Sequence, residues 1–363
     1  MHANINLKNI ALVIFITISL GWISIIGSSI ILPFLFAFLL ATFLYPIDKF
    51  YNKYISYDSI TIVLSFATVI LPILLVATLF SFQIMNIMES LPSIGDKLDE
   101  GIKQAGKSIN NLIPFADIDI DKMLASKESD IPKGSFSTIA QGFVSSATFL
   151  VNFGLTMIYT FFLLYYRKSF KNFIIFQFEE ENREDIKKTL KDIKETVKSY
   201  IGGVGLVMVI LSVLNSIGLS IIGIDYPIFW GVLAGMLAII PYIGTGLGGL
   251  LPFVYALSTT DTTWQPVAIV IYYVIIQQVE GNLITPKIVG DKVDINPLFA
   301  ILSIVIFGTM WGVGGIILAL PLISISRIIL SHFEYTEPIA MLMSSSISEK
   351  PGKFKKWAKK VED

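Results

Sequence analysis

Pro227-Ile-Phe-Trp-Gly231-Val-Leu-Ala-Gly235-Met-Leu-Ala-Ile-Ile-Pro241-Tyr-Ile-Gly244-Thr-Gly246-Leu-Gly248-Gly249 is followed, after one more apolar run, by Glu280-Gly-Asn282-Leu-Ile-Thr285-Pro286-Lys287-Ile-Val-Gly290-Asp291. Glycine and proline repeatedly interrupt apolar runs of helix length here. A membrane span carries such breaks only where the freed backbone groups face protein or a watery cavity, because lipid offers no hydrogen-bond partner. Broken helices at membrane depth are a sequence pointer to a transport path. The candidate path or gate residues are therefore Pro241, Gly244, Gly246, Gly248, Gln277, Glu280, Asn282 and Pro286, with Gly312 and Gly315 in a later broken run.

The composition agrees with a membrane setting. Hydrophobic residues make up 54% of the 363-residue chain and charged residues only 15%, which lies outside the usual range of soluble globular domains. The net charge of -1, with no basic tract interleaved with aromatics, argues against a nucleic-acid partner. The absence of cysteine removes disulfides, thiolate nucleophiles and cysteine metal sites together. Two histidines, His2 and His332, leave metal or histidine acid–base chemistry almost without material. There is no Ser/His/Asp set, catalytic carboxylate pair or P-loop, so neither an enzyme nor an ATP-driven pump is expected, and no cofactor or metal.

Taken in order, residues 1–88 read as three transmembrane helices: 10–27 and 29–45 joined at Gly27-Ser28-Ser29, a charged break at 48–58, then 60–88 with Pro72 as a kink. A secretory signal is disfavoured for the first run by the immediate second run and the missing cleavage site. Residues 89–138 are rich in acids and prolines and read as a small extracytoplasmic excursion of amphipathic helices. The triplet Asp117-x-Asp119-x-Asp121 lacks the glycine and closing glutamate of a calcium loop. A span over 139–166 ends in Tyr165-Tyr166-Arg167-Lys168, an interfacial edge. Within 167–200, Ile186, Leu190, Ile193 and Val197 share one face of a cytoplasmic amphipathic helix. Three settings suit it: the membrane surface, a neighbouring subunit, or a solvated linker.

Residues 201–331 form the expected transport core, with a span at 201–223 opening on Gly202, Gly203 and Gly205. Broken segments follow at 228–240, 246–258, 265–280 and 297–330, the last a hairpin or re-entrant pair divided by Gly308, Gly312, Gly314, Gly315 and Pro321. Residues 332–363 form a basic tail, and the distribution of Lys and Arg places both termini in the cytoplasm. The fold expected is an all-α polytopic membrane protein with broken or re-entrant segments.

The pairs Gly231/Gly235, Gly244/Gly248 and Gly308/Gly312 have the four-residue spacing that lets helix backbones approach. They serve packing alone or packing together with a flexible gate. The same region matches G-x-G-x-x-G, but no strand or ribose-binding acid frames it. Glu280, with Gln277, Gln278 and Asn282, ends an apolar run, where an acid is expensive unless paired, protonated or wet. Two readings stand: a carboxylate that binds a cation or exchanges a proton, or an interfacial anchor paired with Lys287. Asn152, Ser212, Asn215 and Ser216 read as interhelical hydrogen-bonding groups, Asp225, Asp291 and Asp294 as turn residues, and Arg327 as a side chain reaching the cytoplasmic edge.

Three segments carry a family resemblance: Phe229-Trp230-Gly231 to Pro241-Tyr242-Ile243-Gly244, Glu280-Gly281-Asn282 to Pro286-Lys287, and Asn296-Pro297-Leu298 through Gly312 and Gly315 to Pro321. They resemble the AI-2E family of bacterial membrane proteins, also called the autoinducer-2 exporter or PerM-like family. Thr245 departs from it, since a proline is common at that place. The resemblance implies about eight transmembrane helices and a homo-oligomer in the bacterial cytoplasmic membrane. It also implies transport of a small polar solute or signal molecule resembling autoinducer-2. Family members are linked both to autoinducer-2 export and to sodium/proton exchange, so an antiporter built on Glu280 is an alternative. A passive channel or a non-transporting scaffold is another.

Overall fold

The structure is a computed structural model, and it describes residues 7–90, 147–241, 244–260, 262, 264–288, 294–333 and 336–345. Among these residues every regular element is helical. In chain order the helices are α1 (Leu7–Ile26), α2 (Ser28–Tyr51), α3 (Asp58–Ser90), α4 (Ala147–Tyr165), α5 (Arg167–Phe176), α6 (Arg183–Ile222), α7 (Pro227–Leu237), α8 (Gly244–Thr259), α9 (Trp264–Val279), α10 (Thr285–Ile288), α11 (Pro297–Leu330) and α12 (Glu337–Met343). The 89–138 excursion lies almost wholly outside the described residues, as do residues 139–146 and 346–363.

The outer surfaces of the long helices are apolar. Phe15, Trp22, Leu71 and Phe82 are each more than 60% exposed, an arrangement that water penalises at roughly 25 cal/mol per Å² and lipid does not. By length and composition among the described residues, five helical stretches are long and apolar enough to cross a bilayer: Ser28–Tyr51, Asp58–Ile84, Glu180–Ile222, Trp264–Ile288 and Pro297–Leu330, the last of which folds back on itself at Gly312. The α4–α5 pair, bent by 68°, makes a sixth if it is one span. This is an all-helical polytopic membrane protein.

Three elements differ from their sequence reading. The amphipathic segment and the span after it form one unbroken helix, α6, of 40 residues, in which Gly202, Gly203 and Gly205 do not interrupt the backbone. Glycine lowers helix propensity by only about 1 kcal/mol, which the flanking apolar run outweighs. Helix α2 runs through the expected charged break to Tyr51 because Asp48 is neutralised inside the fold. Finally, α9 does not stop at Glu280. The chain passes through a π-helical turn, Glu280–Ile284, into α10. Pro286 has no N–H and its ring presses on the carbonyl four residues earlier, so the wider turn relieves a clash that would otherwise break the helix.

The chain divides into two compact units. The first comprises Met1–Ala67, Leu150–Gly203 and Val289–Asp363. Within it Asp48, fully buried, meets Arg167 at 2.8 Å and accepts the Thr61 hydroxyl at 2.8 Å. The Lys194 ammonium stands 3.6 Å from the centroid of the Tyr45 ring. The stripe Ile186, Ile193 and Val197 is buried in this chain's own fold, and Thr189 and His332 Nδ1 are 3.0 Å apart.

Helix α11 also belongs to this unit. Gly312 adopts φ 61°, ψ -142°, a conformation essentially reserved for glycine. A Cβ on Gly315 would overlap the Phe307 carbonyl oxygen, and one on Gly308 would stand 3.0 Å from Ile316. In a straight helix residues eight apart lie about 12 Å from each other along the axis. Residues 297–311 and 313–330 are therefore two arms folded back on one another at Gly312.

The second unit comprises Thr68–Phe149 and Val204–Ile288. Its core gathers Leu219 and Ile222 from α6, Trp230 and Ala234 from α7, Tyr255 from α8 and Tyr273 from α9. Tyr272 donates its hydroxyl to the Leu214 carbonyl at 2.7 Å, tying α9 to α6.

Candidate functional site

The site is built in the second unit from a short helical hairpin and the helix that follows it. Helix α7 has 11 residues and α8 has 16, or about 16 and 24 Å, short of the roughly 30 Å hydrocarbon core. Pro241 lies in the turn between them. Their close packing depends on missing side chains. A Cβ on Gly244 would overlap the Leu237 carbonyl, and one on Gly248 would stand 2.8 Å from the Ala234 Cβ. Gly231 and Gly235 press α7 on to Ser216 and Ser212 of α6, while Gly249 receives the Tyr273 ring of α9. Gly246 is different: it is exposed and meets nothing within 4 Å.

Glu280 opens the π-helical turn, and its partly buried carboxylate faces the hydroxyl of Thr245, which is itself buried on α8. Thr245 is the residue beside Gly244, so the close helix approach also sets this polar pairing. Among the described residues no ion pair joins Glu280 to Lys287, which is exposed. Gln277 and Gln278 are exposed, as are Asn282 and Pro286, and the Asn282 amide donates to Gln278 Oε1 at 3.0 Å. The end of α9 and the π turn thus present a carboxylate and three amides at the end of an apolar helix. Such a set can exchange hydrogen bonds with a polar solute or hold a small cation.

The remaining sequence candidates, Gly308, Gly312 and Gly315, belong to the folded-back arms of α11 in the first unit. At the foot of those arms lies a group that sequence reasoning did not assemble. Asp294 accepts hydrogen bonds from the Ser344 hydroxyl at 2.9 Å and the Ser345 hydroxyl at 2.6 Å, and pairs with Arg327 at 3.0 Å. Burial pushes its pKa up, but the two serines and the Arg327 guanidinium outweigh this and hold the carboxyl below its ordinary value. Arg327, expected to reach toward the cytoplasmic edge, closes this cluster with a turn acid. Nothing in the spacing of residues 294, 327 and 344 signals their meeting. Thr245 did carry a signal, as the departure from the family pattern.

Comparison with known proteins bears on nearly the whole chain. A model of the AI-2E family transporter matches residues 10–334. The chain is 31% identical over 144 residues to "Putative transport protein YrrI" of Bacillus subtilis, covering 40% of each chain. It is 28% identical over 145 residues to "Putative permease PerM" of Escherichia coli K12, covering 39% of this chain and 40% of that one. With "AI-2 transport protein TqsA" of the same bacterium it shares 29% over 126 residues, 35% of this chain and 36% of that one. The matched stretches thus take in about two fifths of these relatives' length, whereas the family model runs through the broken helices, the π turn and the folded-back arms alike. With nearly all of its length matched by that model, the chain belongs to the AI-2E family of transporters.

Proposed function

We propose that this protein is a transporter that moves a small polar solute or signal molecule, of the autoinducer-2 kind, across the bacterial cytoplasmic membrane. The observation that carries the reading is Glu280 at a π-helical turn in a helix long and apolar enough to span a membrane, opposite Thr245 and beside the close α7–α8 approach at Gly244. The membrane places a polar turn at such depth only where it contacts protein or water. Similarity to "AI-2 transport protein TqsA" supports the solute class. In this reading both termini are cytoplasmic, 89–138 is the extracytoplasmic excursion, and the protein works as a homo-oligomer.

A sodium/proton antiporter is the second reading. It is favoured by a carboxylate within a span that no Lys or Arg among the described residues neutralises. Flux in proteoliposomes tests both readings, with labelled autoinducer-2 inside one set and a pH dye inside the other. Gly244→Val and Pro286→Ala are expected to lower the transported species at least tenfold. Normal flux in both variants would remove the π turn and the α7–α8 crossing from the path.

A further inference from the structure

The core of the second unit contains polar atoms that the fold leaves without a partner. Asn215 Oδ1, Trp230 Nε1 and the Tyr273 hydroxyl are buried and have no hydrogen-bond partner among the described residues, and the same holds for Gln83 Oε1. The residues are 1%, 4% and 8% exposed for Asn215, Trp230 and Tyr273. Buried polar groups are paired in nearly all folded proteins, and those left unpaired call for an explanation. A single orphan could be an accident of packing. Four in one unit call for a common cause.

These residues belong to one core or stand within a helical turn of it. Trp230 and Tyr273 belong to one packed core with Tyr255 and Phe229. Asn215 lies one turn before Leu219 of that core, next to Ser216, whose backbone touches Gly231 beside Trp230. Gln83 lies one turn before Ile87 and three residues after Phe80, both of which pack on the same core. Three helices of the unit and α3 therefore each bring one unpartnered group to a core rich in aromatic rings.

The chemistry of the set is specific. Asn215 and Gln83 offer acceptors, Trp230 a donor, and Tyr273 a hydroxyl that can do either. Among the described residues of the second unit no Asp, Glu, Lys or Arg is fully buried, so an ion entering the core would be uncompensated. Aromatic walls with a few convergent polar groups are the make-up of a small-molecule pocket. We propose that this core is a binding site for a small, uncharged, multiply hydroxylated solute, with Asn215, Trp230 and Tyr273 as its hydrogen-bonding walls. Here α7 packs directly on α6 at Gly231 and Gly235. Admitting the solute requires the α7–α8 hairpin to part from α6 at the glycine contacts, so the inference rests on the transport reading and names the solute class.

Equilibrium dialysis of the full-length protein in lipid nanodiscs tests it, with radiolabelled glycerol, erythritol and ribitol as probes. Wild type is expected to bind at least one of them at a single saturable site, independently of sodium. Tyr273→Phe and Asn215→Leu should each weaken that binding tenfold or more. Both variants should keep the wild-type melting temperature or exceed it, because each removes an unpaired polar atom. No saturable binding of any probe by wild type, or unchanged binding in both variants, overturns the site. Vesicle flux separates the two ideas. Binding without flux of the same polyol leaves the site standing and defeats the transport reading, whereas flux unaffected by both substitutions does the reverse.

Discussion

One methyl group distinguishes two kinds of glycine in the α7–α8 hairpin. At Gly244 an added Cβ would overlap the Leu237 carbonyl oxygen, which is backbone and cannot rotate away, while at Gly246 it would meet open space. Gly244→Ala is therefore expected to destabilise the protein by about 1–3 kcal/mol through overpacking. Gly246→Ala should leave it unchanged or slightly more stable. Thermal denaturation in detergent, followed by size-exclusion chromatography, ranks the two; equal melting temperatures would contradict the backbone contact. Asp294 ties stability to pH. Its folded-state carboxyl titrates below the unfolded one, so its contribution is present above the ordinary aspartate range, about pH 4, and is lost as the pH falls below it. Asp294→Asn should melt earlier than wild type from pH 7 down to pH 5, with the gap closing below about pH 4. A gap that closes already at pH 6 would show that the Arg327 and serine contacts do not act on this group. This partly exposed pair should be worth about 1 kcal/mol.

At the scale of elements, the folded-back form of α11 is the feature most open to direct test. The chain has no cysteine, so Gly308→Cys with Ile316→Cys adds a single pair on a clean background. Because a Cβ at Gly308 would stand 3.0 Å from the Ile316 side chain, the pair should form a disulfide rapidly under mild oxidation, detected by the mass of the linked peptides. In a straight helix the two would lie about 12 Å apart and stay reduced. The run of Gly308, Gly312, Gly314 and Gly315 made this fold legible in advance, since only glycine supplies the backbone that Gly312 adopts. The glycines that open α6 misled for the same physical reason. A glycine permits a turn without requiring one, and in α6 the apolar run on either side holds the helix straight through. Proline at position 286 was legible as a disturbance, but sequence did not distinguish a break from the π turn that accommodates it.

At the scale of the molecule, the membrane setting was the easiest property to read, because 54% hydrophobic and 15% charged residues lie outside the usual range of soluble domains. What sequence left unassembled were contacts between distant positions: Asp48 with Arg167, Thr189 with His332, Asp294 with Arg327 and the serines near 344. Each joins side chains whose spacing carries no period. Glu280 stood out as an acid in an apolar run, yet its partner Thr245 was visible only as a departure from the family pattern. The central claim is that Glu280 and its π turn lie on the path of transport, and Glu280→Gln tests it most directly, since the substitution keeps the shape of the side chain and removes its charge. The measurement is flux in proteoliposomes of wild type and Glu280→Gln, with labelled autoinducer-2 and a pH dye under a sodium gradient. The account predicts at least a tenfold loss of whichever flux wild type supports, in protein that still folds. Undiminished flux through Glu280→Gln would contradict it and leave that carboxylate an anchor at the helix end.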